Sequence, residues 1–165
     1  MAAWILESSY KYAKAAELAW ADGSLGAQSE VIAAFAMELL LKSLHAHPVE
    51  NERYGGVGQQ YGRVSGGHGL HGLFLMVPEK LRHQLGLVEF EELLLKKSMI
   101  FMAGRYEYEA AAPVGFDDSL LNAFAVLMPK FIDYFISKGV DDPWLKWVKA
   151  NPEQFALRAG TRLFL

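Results

Sequence analysis

The 165-residue sequence contains no cysteine. That excludes disulfide cross-links, thiolate catalysis and cysteine-ligated zinc, and it fits a reducing compartment. The sequence also has no surplus of positive charge: 16 Lys and Arg stand against 19 Asp and Glu, a formal net charge of −3 with a pI near 5.9. A globally basic nucleic-acid binder is excluded, while a local basic patch remains open. Long apolar runs are missing as well. The longest, Val31–Met37 and Leu120–Met128, are shorter than the ~18 residues of a membrane span. Met1–Leu6 carries neither a basic n-region nor a small-residue cleavage site. The expectation is a cytoplasmic protein with no membrane segment.

What is present is an apolar chain, 52% hydrophobic and 21% charged. That composition excludes general disorder, which requires low hydrophobicity and high net charge. A chain this long can bury most of the surface it exposes when unfolded, so one domain is expected.

Apolar residues recur at helical spacing through 2–21, with Trp4, Ile5, Tyr12, Ala16, Ala19 and Trp20. Asp22-Gly23 ends that helix, because glycine accepts the left-handed C-terminal conformation. A second helix starts near Ser24 or Gln28 and reaches about His45. Its broad apolar face holds Ile32, Phe35, Ala36, Leu39 and Leu40, and Pro48 prevents continuation. Residues 48–67 then show no period of 2 or 3.6 and include six glycines between Gly55 and Gly67. A loop of about twenty residues inside a compact domain is uncommon and usually functional. Helix returns near His68, and a segment Pro78–Leu85 follows. The pattern then predicts helices over about 88–103 and 119–138. Asp118 or Ser119 can cap the latter and Gly139 closes it. Asp142-Pro143 and Asn151-Pro152 open short helices to 149 and about 158. The predicted fold is all-α. It is an up-and-down bundle of four to five main helices over 1–140, with one long Gly-rich loop, and short C-terminal helices over 141–165 pack on it.

Several residue groups could carry chemistry. The pairs His45/His47 and His68/His71 flank the long loop, and a His-only metal site is conceivable if they converge. No Asp or Glu stands at ligand spacing beside them, so no metal and no cofactor is expected. The Gly-rich loop lacks both the dinucleotide fingerprint and the Gly-Lys-Ser/Thr of a phosphate-binding Walker loop. Glu38 and Lys42 sit four apart inside the apolar run Ala36–Lys42. They either lie partly buried in a cleft or form a solvated i,i+4 pair, and the solvated face is the expectation. Arg63 and His68 have the spacing of a phosphate clamp and a proton carrier, which together could cleave RNA through its own 2′-hydroxyl. Arg105 with Tyr106 could pair with a phosphate and stack on a base. Alternatively, Arg105 satisfies helix C-terminal carbonyls while Tyr106 packs on the core.

Three of these segments resemble, in order, motifs of the HEPN family of helical domains. Phe35-Ala36-Met37-Glu38-Leu39-Leu40-Leu41-Lys42-Ser43-Leu44 is similar to its glutamate-leucine-x-leucine-lysine-alanine-leucine core. Gly67-His68-Gly69-Leu70-His71-Gly72-Leu73 is similar to its glycine-histidine-aspartate-leucine start of a third helix, with Gly69 in place of the acid. Gly104-Arg105-Tyr106-Glu107-Tyr108 resembles its alanine-arginine-tyrosine-proline segment, with Glu107 where proline is common. The resemblance spans about residues 3–137. It implies a helical bundle, often homodimeric, that binds nucleotides or RNA. Members of toxin–antitoxin and phage-defence systems are ribonucleases with an arginine followed after four to six residues by a histidine, on or at the start of a late helix. Here no histidine follows Arg105 or Arg82 at that spacing, and Arg63…His68 lies before the third helix.

The expectation is therefore a non-catalytic nucleotide- or RNA-binding module. Its cleft would lie between helix two and the junction of loop and third helix. Lys42, His68 and Arg105 would face phosphate there, with Tyr106 stacking or supporting. Two alternatives stand beside it. One is a metal-independent endoribonuclease using Arg63 and His68. The other is a protein-interaction module that docks through the C-terminal aromatics Trp144, Trp147, Phe155 and Phe164, unless these pack back on the bundle.

Overall fold

A computed structural model describes residues 1–50, 60–64, 66–100 and 115–155. The order is α1 (Ala3–Asp22), α2 (Gly26–His45), α3 (Leu70–Met76) and α4 (Glu79–Leu85). A 3-10 turn (Leu87–Phe90) leads into α5 (Glu91–Lys96), followed by α6 (Ser119–Ser137), α7 (Pro143–Ala150) and α8 (Pro152–Phe155). The all-α class expected from the sequence holds.

Each long helix is set by its buried face. α1 and α2 form an antiparallel hairpin joined through Gly23, whose φ of 80° is the left-handed conformation that glycine takes without strain. Small residues let the pair approach closely: Ala13, Ala16, Ala33 and Ala34 are all buried. The Ser29 hydroxyl donates to the Ala16 carbonyl at 2.7 Å, which ties the two helices together away from water. α6 lies across α2 and supplies Phe124, Leu127, Met128, Phe131 and Phe135, each fully buried. Burying a side chain of this size stabilises the fold by ~1.5–3 kcal/mol relative to leaving it in water. α6 is the one described helix long and apolar enough to cross a membrane by length and composition. Its exposed positions Val126, Pro129, Asp133 and Ser137 recur at helical spacing, and the opposite face is the core of the fold.

The start of α6 is capped one residue earlier than the sequence led us to expect. The Asp117 carboxylate, not Asp118 or Ser119, accepts from the Ser119 N–H at 3.0 Å. The helix predicted over 88–103 is also not continuous. A 3-10 turn precedes α5, and the chain tightens after Lys96, with Ser98 N–H donating to the Leu95 carbonyl and Ile100 N–H to the Lys97 carbonyl. This turn places Lys97 where its ammonium reaches two carboxylates, Glu30 of α2 and Asp117 at 2.9 Å. Charge pairing, invisible to hydrophobic periodicity, overrides the helical pattern there. Positions 101–103 of that predicted helix lie outside the described residues.

The C-terminal elements pack back on the bundle. Asp142 caps α7 by accepting from the N–H groups of Trp144 (2.9 Å) and Leu145 (3.2 Å). Tyr10 of α1 stacks on Phe155 at 4.4 Å and meets Trp144 at 6.0 Å. Two of the four aromatics considered for docking are thus engaged within the fold. Trp147 is exposed, and Phe164 lies outside the described residues.

Candidate functional site

The glycine-rich segment between α2 and α3 is anchored at both ends. Val49 N–H donates to the Gln60 carbonyl (2.9 Å) and Gly62 N–H to the His47 carbonyl (3.1 Å), so that Pro48 and Tyr61 form an antiparallel bridge. Gly62 lies close against the His47 side chain: a Cβ there would stand 2.9 Å from the imidazole, which would have to swing aside. The chain then turns back at Gly66 and Gly67, with φ of 107° and 66°. A side chain at Gly66 would strike Met76 of α3. The two glycines therefore let the segment fold down against α3 and carry His68 over α2.

His68 lands on Glu38. Its Nδ1 lies 3.1 Å from both Oε1 and Oε2 of the carboxylate, and Lys42 reaches Oε1 at 2.7 Å. Glu38 is only 2% exposed, and Lys42 is also largely shielded. The solvated pair expected from the sequence is thus corrected. α2 packs against α1, α3 and α6 at once, and Glu38 is enclosed there beneath Lys42 and His68. A buried carboxylate requires partners, and Lys42 and His68 are those partners. Lys42 also sits in the last turn of α2, where a cation complements the helix dipole.

Beside this cluster lies a cleft of about 570 Å³, lined by Lys42 and Leu39 of α2, Ile5 of α1, and the 61–68 segment including Arg63 and His68. Arg63 is exposed, and the His68 side chain is 55% exposed. Tyr61 forms the wall toward α1. Burial raises its phenol above the ordinary value, a backbone hydrogen bond at Trp4 opposes this, and the charge of Asp142 adds to it. Three of the sequence-expected residues, Lys42, Arg63 and His68, therefore share one cleft. Arg105 and Tyr106 lie outside the described residues. The role of Glu38 as the partner of His68, thirty positions away, was missed. The signal for it was a charged pair embedded in the apolar run Ala36–Lys42.

The two histidine pairs do not build a donor set: among the described residues no group of three or more His, Asp or Glu could hold a metal. His45 sits at the end of α2 with a buried Nε2 that has no hydrogen-bond partner. Burial first, and the N-terminal ammonium second, hold its pKa below the ordinary histidine value. His71 stacks on the buried Phe74 ring, with its Nε2 3.5 Å from Glu91.

What the cleft can do follows from its groups. It offers a cation on the surface, a second cation at the floor, and an imidazole whose Nδ1 is held by a carboxylate. Such a set can bind an anionic oxygen and exchange a proton. Comparison with protein-family models, curated proteins and solved structures found no match.

Proposed function

We propose that this chain is a binding module for a phosphate-bearing ligand, a nucleotide or single-stranded RNA, seated in the cleft between α2 and the 61–68 segment. The observation that carries the reading is the convergence of Lys42, Arg63 and His68 on that one cleft. Arginine can grip a phosphate bidentately, and lysine adds a point charge. The ordered motifs that resemble the HEPN family support the same reading, and with it a homodimer acting in a toxin–antitoxin or defence setting. A thermal-shift titration with AMP, ATP and a short RNA tests it. A ligand at a hundredfold excess over its Kd adds ~2.7 kcal/mol, a rise of roughly 5–10 °C for a chain of this size. Arg63→Ala should abolish that rise. The reading fails if millimolar AMP and ATP and micromolar RNA all leave the wild-type melting temperature unchanged.

A second reading, endoribonuclease, is favoured by the Glu38–His68 contact. A carboxylate on Nδ1 orients an imidazole for proton transfer at Nε2. His68 would take the proton of a ribose 2′-hydroxyl, and that oxygen would attack the adjacent phosphorus. The bond to the 5′ oxygen then breaks, leaving a 2′,3′-cyclic phosphate and a 5′-hydroxyl that receives the proton back. Arg63 would stabilise the charge gathering on the phosphoryl oxygens. Purified protein that leaves mixed RNA intact, or that cuts it equally well as His68→Ala, removes this reading.

A further inference from the structure

The cleft presents more than charge. Beside Lys42 and Arg63, its walls carry Ile5, Leu39, Tyr61 and Val64. These four are neither buried nor fully exposed, so each keeps some apolar surface open to the cleft. An inorganic phosphate would meet the cations and leave that surface in water. Covering it requires a ligand with an apolar part joined to its anion. At about 570 Å³ the cleft has the size of a small-molecule site.

Tyr61 is held as a fixed wall. Its backbone is pinned by the bridge to Pro48. Its hydroxyl is held by a backbone hydrogen bond at Trp4, in the first turn of α1. A ring restrained at both ends loses little freedom when a ligand lies against it. Charge sets the direction in which the ligand would lie. The Asp142 carboxylate acts on the Tyr61 phenol, whereas Arg63 is an exposed cation. An anionic group is therefore drawn toward Arg63 and away from the Tyr61 hydroxyl. The apolar part falls to the Tyr61 side. A nucleobase meets that demand, because every base has a π-face that can stack on an aromatic side chain.

We infer that Tyr61 is the base-stacking residue of the cleft, which selects a base-bearing phosphate, one nucleotide unit, over a sugar phosphate or inorganic phosphate. The inference rests on the reading that the cleft binds phosphate. It adds what selects among phosphates, since Lys42 and Arg63 alone would hold them without regard to the base.

The test uses the full chain, titrated calorimetrically with AMP and with ribose 5-phosphate at equal ionic strength. The two probes share the sugar and the phosphate and differ in the base. AMP should bind at least about fivefold more tightly, the low end of what one base–aromatic stack contributes. Tyr61→Leu should bring that ratio below about twofold. Tyr61→Phe keeps the ring and removes only the hydroxyl, and it should retain most of the ratio. An NMR readout on the wild type stands even if Tyr61→Leu misfolds. At saturation with AMP the Tyr61 ring protons should shift upfield and show NOEs to adenine H2 or H8, and ribose 5-phosphate should cause no such shift. Equal affinity for the two probes, a ratio that survives Tyr61→Leu or falls as far in Tyr61→Phe, or a saturated AMP complex without adenine contacts to Tyr61 would each overturn the inference while leaving phosphate binding in place. If neither probe binds at millimolar concentration the inference falls, and if ATP and short RNA are inert as well the proposed function falls with it.

Discussion

Replacing Lys97 by methionine should be among the most damaging single changes outside the apolar core. Lys97 is 8% exposed and Glu30 is 3% exposed. The ammonium bonds Glu30, and it reaches Asp117 at 2.9 Å. Methionine keeps the apolar stem packed but leaves Glu30 as an uncompensated charge in the interior, a loss of about 3–5 kcal/mol. Asp117 adds little to that figure, since its side chain is half exposed and exposed pairs contribute ~0–1 kcal/mol. For a chain of this length the loss corresponds to a fall of roughly 10 °C in Tm. Urea denaturation should show a lower midpoint at unchanged slope. The double variant Glu30→Leu with Lys97→Met should recover most of the loss, because an apolar pair of similar volume needs no compensation. The reasoning is refuted if the single variant loses less than about 1 kcal/mol, or if the double variant is as unstable as the single one. The pH dependence has a definite sign. For Lys97, burial lowers the pKa, but the hydrogen bonds it donates to Glu30 and Asp117 and their negative charges outweigh it, and the result lies above 10.5. Its contribution is therefore complete below 10.5 and is lost only as pH rises through the folded value. For Asp117, burial raises the pKa, but the bonds from Ser119 and Lys97 outweigh it and hold it below 3.8. Its contribution is present above 3.8 and is lost as pH falls through the folded value. The cluster is thus intact across the neutral range.

Two other outcomes follow from features described above. His45 is held below the ordinary histidine value of 6.5 by burial and by the N-terminal ammonium, so its contribution is present above pH 6.5 and disappears as pH falls through the folded value; urea midpoints should therefore drop between pH 7 and pH 5 in the wild type, and the drop should be shallower in His45→Gln. Gly86 and Gly139 both have φ of 70°, and a Cβ would meet only the movable ends of the Lys130 and Glu89 side chains at Gly86 and open space at Gly139; Gly86→Ala and Gly139→Ala should therefore each lose about 1–2 kcal/mol from the left-handed backbone, and a gain in melting temperature at either position would contradict the assignment.

Helix starts and stops marked by glycine and proline were legible in the sequence. The turn at Gly23, the closure at Gly139 and the Asp142-Pro143 start all rest on backbone preferences that act within a few residues. What was not legible depended on partners far along the chain. Nothing near Lys97 announces Glu30, sixty-seven positions away, so the interruption after α5 could not be read from periodicity. The position of the cleft was within reach, because Lys42 and His68 border the anomalous glycine-rich stretch. Its organising residue was not, because burial of Glu38 is decided by three helices closing around α2. An ionisable side chain inside an apolar run was the only local trace of it.

The antiparallel bridge between Pro48 and Tyr61 separates the length of the intervening segment from the geometry of the cleft. The scaffold itself holds the two ends together, so Arg63 and His68 are placed by Tyr61, Gly66 and Gly67, whatever lies between 50 and 60. Doubling the length of a closed loop adds only about 0.6 kcal/mol of closure entropy. The 50–60 segment is therefore a natural graft point. A recognition peptide or a reporter module could be spliced there, and the binding groups would keep their places.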